Sequence, residues 1–98
     1  MAFKSYQVTD ITTEQVVFTG AASTETTVIG FSVANVGNDA AYITAKLNSA
    51  HIVKGAPVAV GGTEIIVGGD QKLVVEAGDT LSVSSTSLVD IIISTLEV

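Results

Sequence analysis

Residues Thr26–Asn48, TTVIGFSVANVGNDAAYITAKLN, decide the fold class. From Ala40 to Asn48, Ala41, Ile43, Ala45 and Leu47 alternate strictly with Tyr42, Thr44 and Lys46. A period of two sends successive side chains to opposite faces of a strand, so this run reads as a strand with one buried face. In the preceding run, Ile29, Phe31 and Val33 are expected on one face, with Gly30, Ser32 and Ala34 on the other. Between the runs stands Gly37-Asn38-Asp39, residues that tolerate positive φ or bond back to their own backbone, so a turn is expected there. The pair reads as a β-hairpin packed on a core.

Working outward, runs of similar length recur between turn residues. FKSYQVTDI reads as an edge strand or an arm within residues 1–12, and EQVVFT (Glu14–Thr19) as a second strand. HIVKGAPVAV (His51–Val60) is broken by Gly55 and Pro57, and a proline removes a ladder donor, so it belongs on an edge or at a bend. Gly61-Gly62 and Gly68-Gly69 bracket the short run TEIIV. QKLVVE, DTLSVSS and VDIIISTLEV supply three more strands. In LVVEAGDTLSVSS, Leu73, Val75, Leu81 and Val83 alternate with polar partners around a corner that reads as a hairpin, with Gly78 in a conformation other residues resist and Asp79 capping the turn or facing water. About eight strands and no segment of helical period predict an all-β chain: one antiparallel β-sandwich over residues 1–98, jelly-roll-like or immunoglobulin-like.

Composition agrees. The 98 residues are 47% hydrophobic and only 14% charged, rich in Val, Ile, Ala and Thr, with 5% aromatics and no Trp. β-Branched residues suit a pleated, half-buried surface. A mean hydropathy of +0.56 is high for so small a domain, which implies apolar surface hidden in an assembly. DIIIS points to where: Ile91 and Ile93 face one way and Ile92 the other, so the strand is either central or has its second face on a neighbouring subunit. Ile91, Ile92, Ile93 and Val98 are the candidate interface residues.

The same residues exclude most chemistry. The net charge is −6, and the four basic residues, Lys4, Lys46, Lys54 and Lys72, are scattered, which disfavours nucleic acid and anionic membranes as partners. With one histidine, His51, and no cysteine, a zinc site lacks its usual ligands. Gly78-Asp79 matches the start of the second cupin motif, but the histidine cluster of a metal-dependent cupin is missing. Asp70, Asp79 and Asp90 fall near strand ends without a calcium-loop spacing. No serine sits in a nucleophile elbow, and the Gly-Gly pairs match no phosphate-binding motif. No enzyme activity, cofactor or metal is expected. The start, MAFKSYQVTDI, has no charged-then-apolar signal pattern, and no apolar run is long enough to span a bilayer.

The region HIVKGAPVAVGGTEIIVGGDQKLVVEAGDTLSVSSTSLVDIIISTLEV resembles a family of small β-rich structural proteins of tailed bacteriophages. The shared pattern is an apolar strand, small residues and Pro57, Gly61-Gly62, a short apolar run, a Glu-Ala-Gly-Asp corner, a Ser-rich strand and a last strand ending in Leu-Glu. VVFTGAASTETTVIGFSVANVGNDAAYITAKL is similar to the family's opening half, with its turn at Gly37-Asn38. The resemblance implies a virion component assembled in the host cytoplasm: a capsid decoration (cement) protein, or an accessory protein of neck, tail or baseplate. Its implied partners are itself, as a homo-oligomer with a trimer among the options, and the major capsid or other virion proteins. It implies no catalytic residues. The rival is a receptor- or carbohydrate-binding β-sandwich, which the shortage of aromatics disfavours.

Overall fold

The computed structural model describes residues 2–98. Nine strands follow one another along the chain: β1 (Ala2–Ile11), β2 (Gln15–Thr19), β3 (Thr26–Asn35), β4 (Ala41–Leu47), β5 (Ala50–Val58), β6 (Thr63–Val67), β7 (Leu73–Val75), β8 (Thr80–Ser85) and β9 (Val89–Glu97). They form two antiparallel sheets. One runs β1-β9-β3-β6, with β7 also paired to β3, and the other runs β2-β8-β4-β5.

These neighbours pair the first strand with the last (β1 with β9), the second with the next-to-last (β2 with β8), and so on inward to β4 with β5. β6 and β7 act as one interrupted strand: β6 pairs with Phe31–Ala34 and β7 with Thr26–Val28 of the same β3. An antiparallel ribbon of four such pairs, folded over so that its strands fall alternately in two sheets, is a jelly roll. Of the two sandwich types expected from sequence, this is the one the chain adopts.

The topology corrects two readings of local pairing. β3 and β4 lie in opposite sheets, so Gly37-Asn38-Asp39 carries the chain across the sandwich rather than closing a hairpin. The same holds for β7 and β8 around Gly78-Asp79. Alternation tells which face of a strand is buried, but the strand it pairs with is set elsewhere.

Both inner faces contribute to one core. Val28, Phe31 and Val33 of β3 and Ile91 and Ile93 of β9 meet Ile43 and Ala45 of β4 and Leu81 and Val83 of β8, all buried. At one end, the Tyr6 ring packs edge-on against Phe18 of the other sheet, centroids 5.0 Å apart. The strict alternation expected for β4 is present, with Ala41, Ile43 and Ala45 fully buried and Tyr42 exposed. In β3 the inward set is Val28, Phe31 and Val33; Ile29 is displaced from it. A register shift against β9 between Val28 and Gly30 inserts an extra residue and flips the parity of the strand.

Candidate interaction surface

β9 is one of the two interior strands of its sheet, flanked by β1 and β3. Ile91 and Ile93 are each 1% exposed, whereas Ile92 is 50% exposed. The interface expectation is therefore corrected for Ile91 and Ile93, whose side chains the chain's own core consumes. Ile92 and the exposed Val98 remain on the outside.

Register extends Ile92 into a surface. Across the outer face of this sheet, Gln7, Ile92, Ser32 and Ile65 form one rung. Two residues further along β9 come Ser5, Ser94 and Gly30, and then Phe3, Leu96, Thr27 and Val74. Ile65 is 61%, Val74 60% and Phe3 75% exposed. Two apolar ridges thus flank a furrow of small residues. Ionisable groups border the face: Asp90 stands in the rung beyond Ile92, and Glu25 pairs through its backbone with Val98 beyond Leu96. An apolar centre with a polar rim is the anatomy of a protein–protein contact.

The opposite sheet presents a different exterior. Val16 and Ser82 lie across from Lys46 and His51, and Ser84 across from Thr44. The Lys46 ammonium sits 2.7 Å from the Glu14 carboxylate. That hydrogen bond and its charge hold Glu14 below the usual carboxylate range. His51 is an exposed residue of edge strand β5. Among the described residues, no group of three or more His, Asp and Glu side chains stands close enough to share a metal ion.

The free edges of both sheets are poor templates for pairing. β1 carries Lys4 and a register shift between Val8 and Ile11, with Asp10 at φ 58°. β5 carries Lys54 and Pro57, and its pairing with β4 slips twice, once beside Gly55, at φ 66°, and once at Ile52. β2 spans five residues and bulges between Val16 and Phe18, while β6 and β7 are interrupted. Lysines, bulges, proline and shortness are the devices that keep edges from adding strands.

The remaining residues singled out from sequence are structural. Gly61, at φ 75°, and Gly62 turn the chain from β5 into β6, where the Gly62 N–H donates to the Ala59 carbonyl at 2.8 Å. Asn38 is exposed in the crossing. A Cβ on Gly37 would stand 2.5 Å from the Ser87 hydroxyl and 3.3 Å from the Leu88 N–H, so a side chain there would have to turn the Ser87 hydroxyl aside. Gly78 has φ 85°, as the corner requires, and the Asp79 carboxylate accepts from the Glu76 N–H at 3.1 Å.

Two residues that hold these loops were missed. A Cβ on Gly20 would lie 2.1 Å from the Glu76 carbonyl, because the loop after β2 runs directly against the corner. Asn35, 3% exposed, donates from Nδ2 to the carbonyls of Asp39 (2.8 Å) and Val58 (3.0 Å), while its Oδ1 accepts from the Gly37 N–H (3.0 Å). The only signal was an Asn at the end of an apolar strand, indistinguishable from an ordinary turn residue. Beside the corner, an open cleft of about 690 Å³ is lined by Ser23, Thr24, Glu25, Thr26, Val74 and Glu76, among others. Compared with known proteins, the chain matches no family model, no curated protein and no solved structure.

Proposed function

We propose that this chain is a non-enzymatic structural protein of a tailed-bacteriophage virion, working as a capsid decoration protein that stabilises the shell through subunit contacts. The observation that carries the reading is the outer face of the β1-β9-β3-β6 sheet: apolar at its centre, free of charge between its rims, and built across the two interior strands of that sheet. Burying such a face is favourable at about 25 cal/mol per Å² of apolar area, before the entropic cost of association. The sequence resemblance supplies the setting, a virion, and leaves neck, tail and baseplate as alternative positions on the particle. Binding that occurs only in the assembled state favours that state by mass action, which is how a cement protein acts.

Mass spectrometry of purified particles tests the reading. The chain is expected at a copy number comparable with the major capsid protein. Complete absence from mature particles overturns it, and a copy number of a dozen or fewer moves it to the neck, tail or baseplate.

The cleft beside the corner favours a second reading, a glycan-binding module, because Ser23, Thr24, Glu25 and Glu76 are among the residues that line it. No residue lining it is aromatic, so it lacks the usual sugar-stacking surface. A glycan array with specific hits lost in Glu76→Ala would favour this reading over the first.

A further inference from the structure

We infer that β1 divides into an exchangeable arm, Ala2–Val8, and a buried anchor, Ile11, and that the arm of one copy seats on β9 of a second copy when the chain self-associates. The inference rests on the geometry of β1 and stands or falls independently of the virion reading.

Burial marks the division. No side chain from Ala2 to Val8 is buried; Tyr6 and Val8 are half-buried and the others exposed. Ile11, by contrast, is 0% exposed and belongs to the core. The arm's ladder runs to β9 alone. Its side-chain ties are the Tyr6 ring on Phe18, the Tyr6 hydroxyl on Glu97, and Lys4 beside Glu97. Little apolar surface returns to water when such a strand leaves its seat.

A joint separates arm from anchor. Val8 pairs with Ile91 and Ile11 with Val89, so Thr9 and Asp10 together stand against the single residue Asp90. Asp10 sits at φ 58°, and its N–H donates to the Asp90 carboxylate at 2.9 Å. A bulge residue with positive φ is ordinarily a glycine, and an aspartate holds that conformation at a greater cost. Straightening the joint to carry the arm across to another copy relieves that strain.

The seat selects its occupant. Release of the arm uncovers the β9 edge from Ile91 to Glu97, with the Phe18 ring and the Glu97 carboxylate beside it. A second copy brings the same Tyr6 and Lys4 in the same register, whereas a foreign strand would have to reproduce them. Exchange therefore makes between copies the contacts that the closed chain makes within one, and joint strain and concentration decide which form prevails. Because one strand replaces another, exchange needs none of the obstructed free edges.

Paired thiols read the exchange, since the chain has no cysteine. Ser5 and Ser94 stand opposite each other in the β1–β9 ladder. Opposite residues of an antiparallel pair lie about 4.5–5.5 Å apart at Cα, within reach of a disulfide. Ser5→Cys and Ser94→Cys chains are mixed in urea, refolded together at low and high protein concentration, and oxidised. Exchange predicts a disulfide joining one chain of each kind, in a yield that rises with concentration. Ser5→Cys mixed with Val16→Cys, on the opposite sheet, should give no such link. Asp10→Gly, which accepts positive φ, should lower the yield, and Asp10→Val, which resists it, should raise the yield. The absence of the mixed disulfide at high concentration overturns the inference, as does a yield that both Asp10 substitutions leave unchanged. Self-association without the mixed disulfide places the contact elsewhere and overturns it too.

Discussion

Asn35 ends β3 and ties three segments together with one amide. Its two N–H groups satisfy the carbonyls of Asp39 and Val58, and its oxygen satisfies the Gly37 N–H, so the crossing into β4, the end of β5 and β3 itself are held at one buried point. Asn35→Ala strands these backbone groups in a buried site. Unmet buried hydrogen bonds cost about 1–3 kcal/mol each, and partial hydration of the rearranged loop recovers some of that. The expected loss is about 2–3 kcal/mol in urea denaturation. A second residue-scale device ties β1 to β9. The Tyr6 hydroxyl donates to the Glu97 carboxylate, which also accepts from Thr95 at 2.9 Å. The Tyr6 hydrogen bond holds Glu97 below its ordinary value, and the same bond raises Tyr6 above its own. A depressed carboxylate stabilises the fold above its unfolded pKa and ceases to do so as the pH falls through the folded value. A raised phenol stabilises below its unfolded pKa of about 10 and ceases to do so as the pH rises past that. Tyr6→Phe should therefore lower the melting temperature near pH 7, with the deficit shrinking below the carboxylate range, at about pH 4, and again above about pH 10.

At the scale of elements, the corner Glu76-Ala77-Gly78-Asp79 illustrates what was and was not legible in the sequence. Its turn chemistry could be read directly: Gly78 has positive φ and Asp79 caps the Glu76 N–H, because both properties belong to the residues themselves. Gly78→Val should cost about 1–3 kcal/mol in thermal unfolding for forcing a β-branched residue into that conformation. The partners of the corner could not be read. Gly20 packs against it from more than fifty residues away, with mutual hydrogen bonds of 2.9 Å from the Gly78 N–H and 2.8 Å to the Asp79 carbonyl. Strand positions were legible for the same reason as the turn, since alternation and turn residues are local. Sheet membership and bulges were not. The bulge that turns Ile29 out of the core and brings Val28 in answers to β9, which lies some sixty residues on. In β6, Ile66 and Val67 are both buried because of another such shift. Phe31, on the reliable part of that pattern, is the largest fully buried side chain, and Phe31→Ala should cost about 3–5 kcal/mol.

At the scale of the whole molecule, the two sheets share a core and differ outside. One exterior carries Lys46, Glu14 and His51 beside the exposed Val16 and Tyr42; the other carries Ile92, Ile65, Phe3 and Val74 around small uncharged residues. Half of this was visible in DIIIS, where three consecutive isoleucines cannot all face one core. The rest needed β1, β3, β6 and β7 brought alongside, which only the register supplies. The function we propose from this asymmetry is mechanical, the burial of one face of a jelly roll against a partner. Because the chain has no cysteine, one introduced thiol reports on one place. Maleimide labelling of Ile65→Cys and Val16→Cys proteins in purified particles is the most direct test, because the native side chains are equally open in the single chain, 61% and 58% exposed. The account predicts that Ile65→Cys is protected in particles and reacts on denaturation, while Val16→Cys, on the opposite sheet, labels more readily in intact particles; equal labelling at the two positions would contradict it.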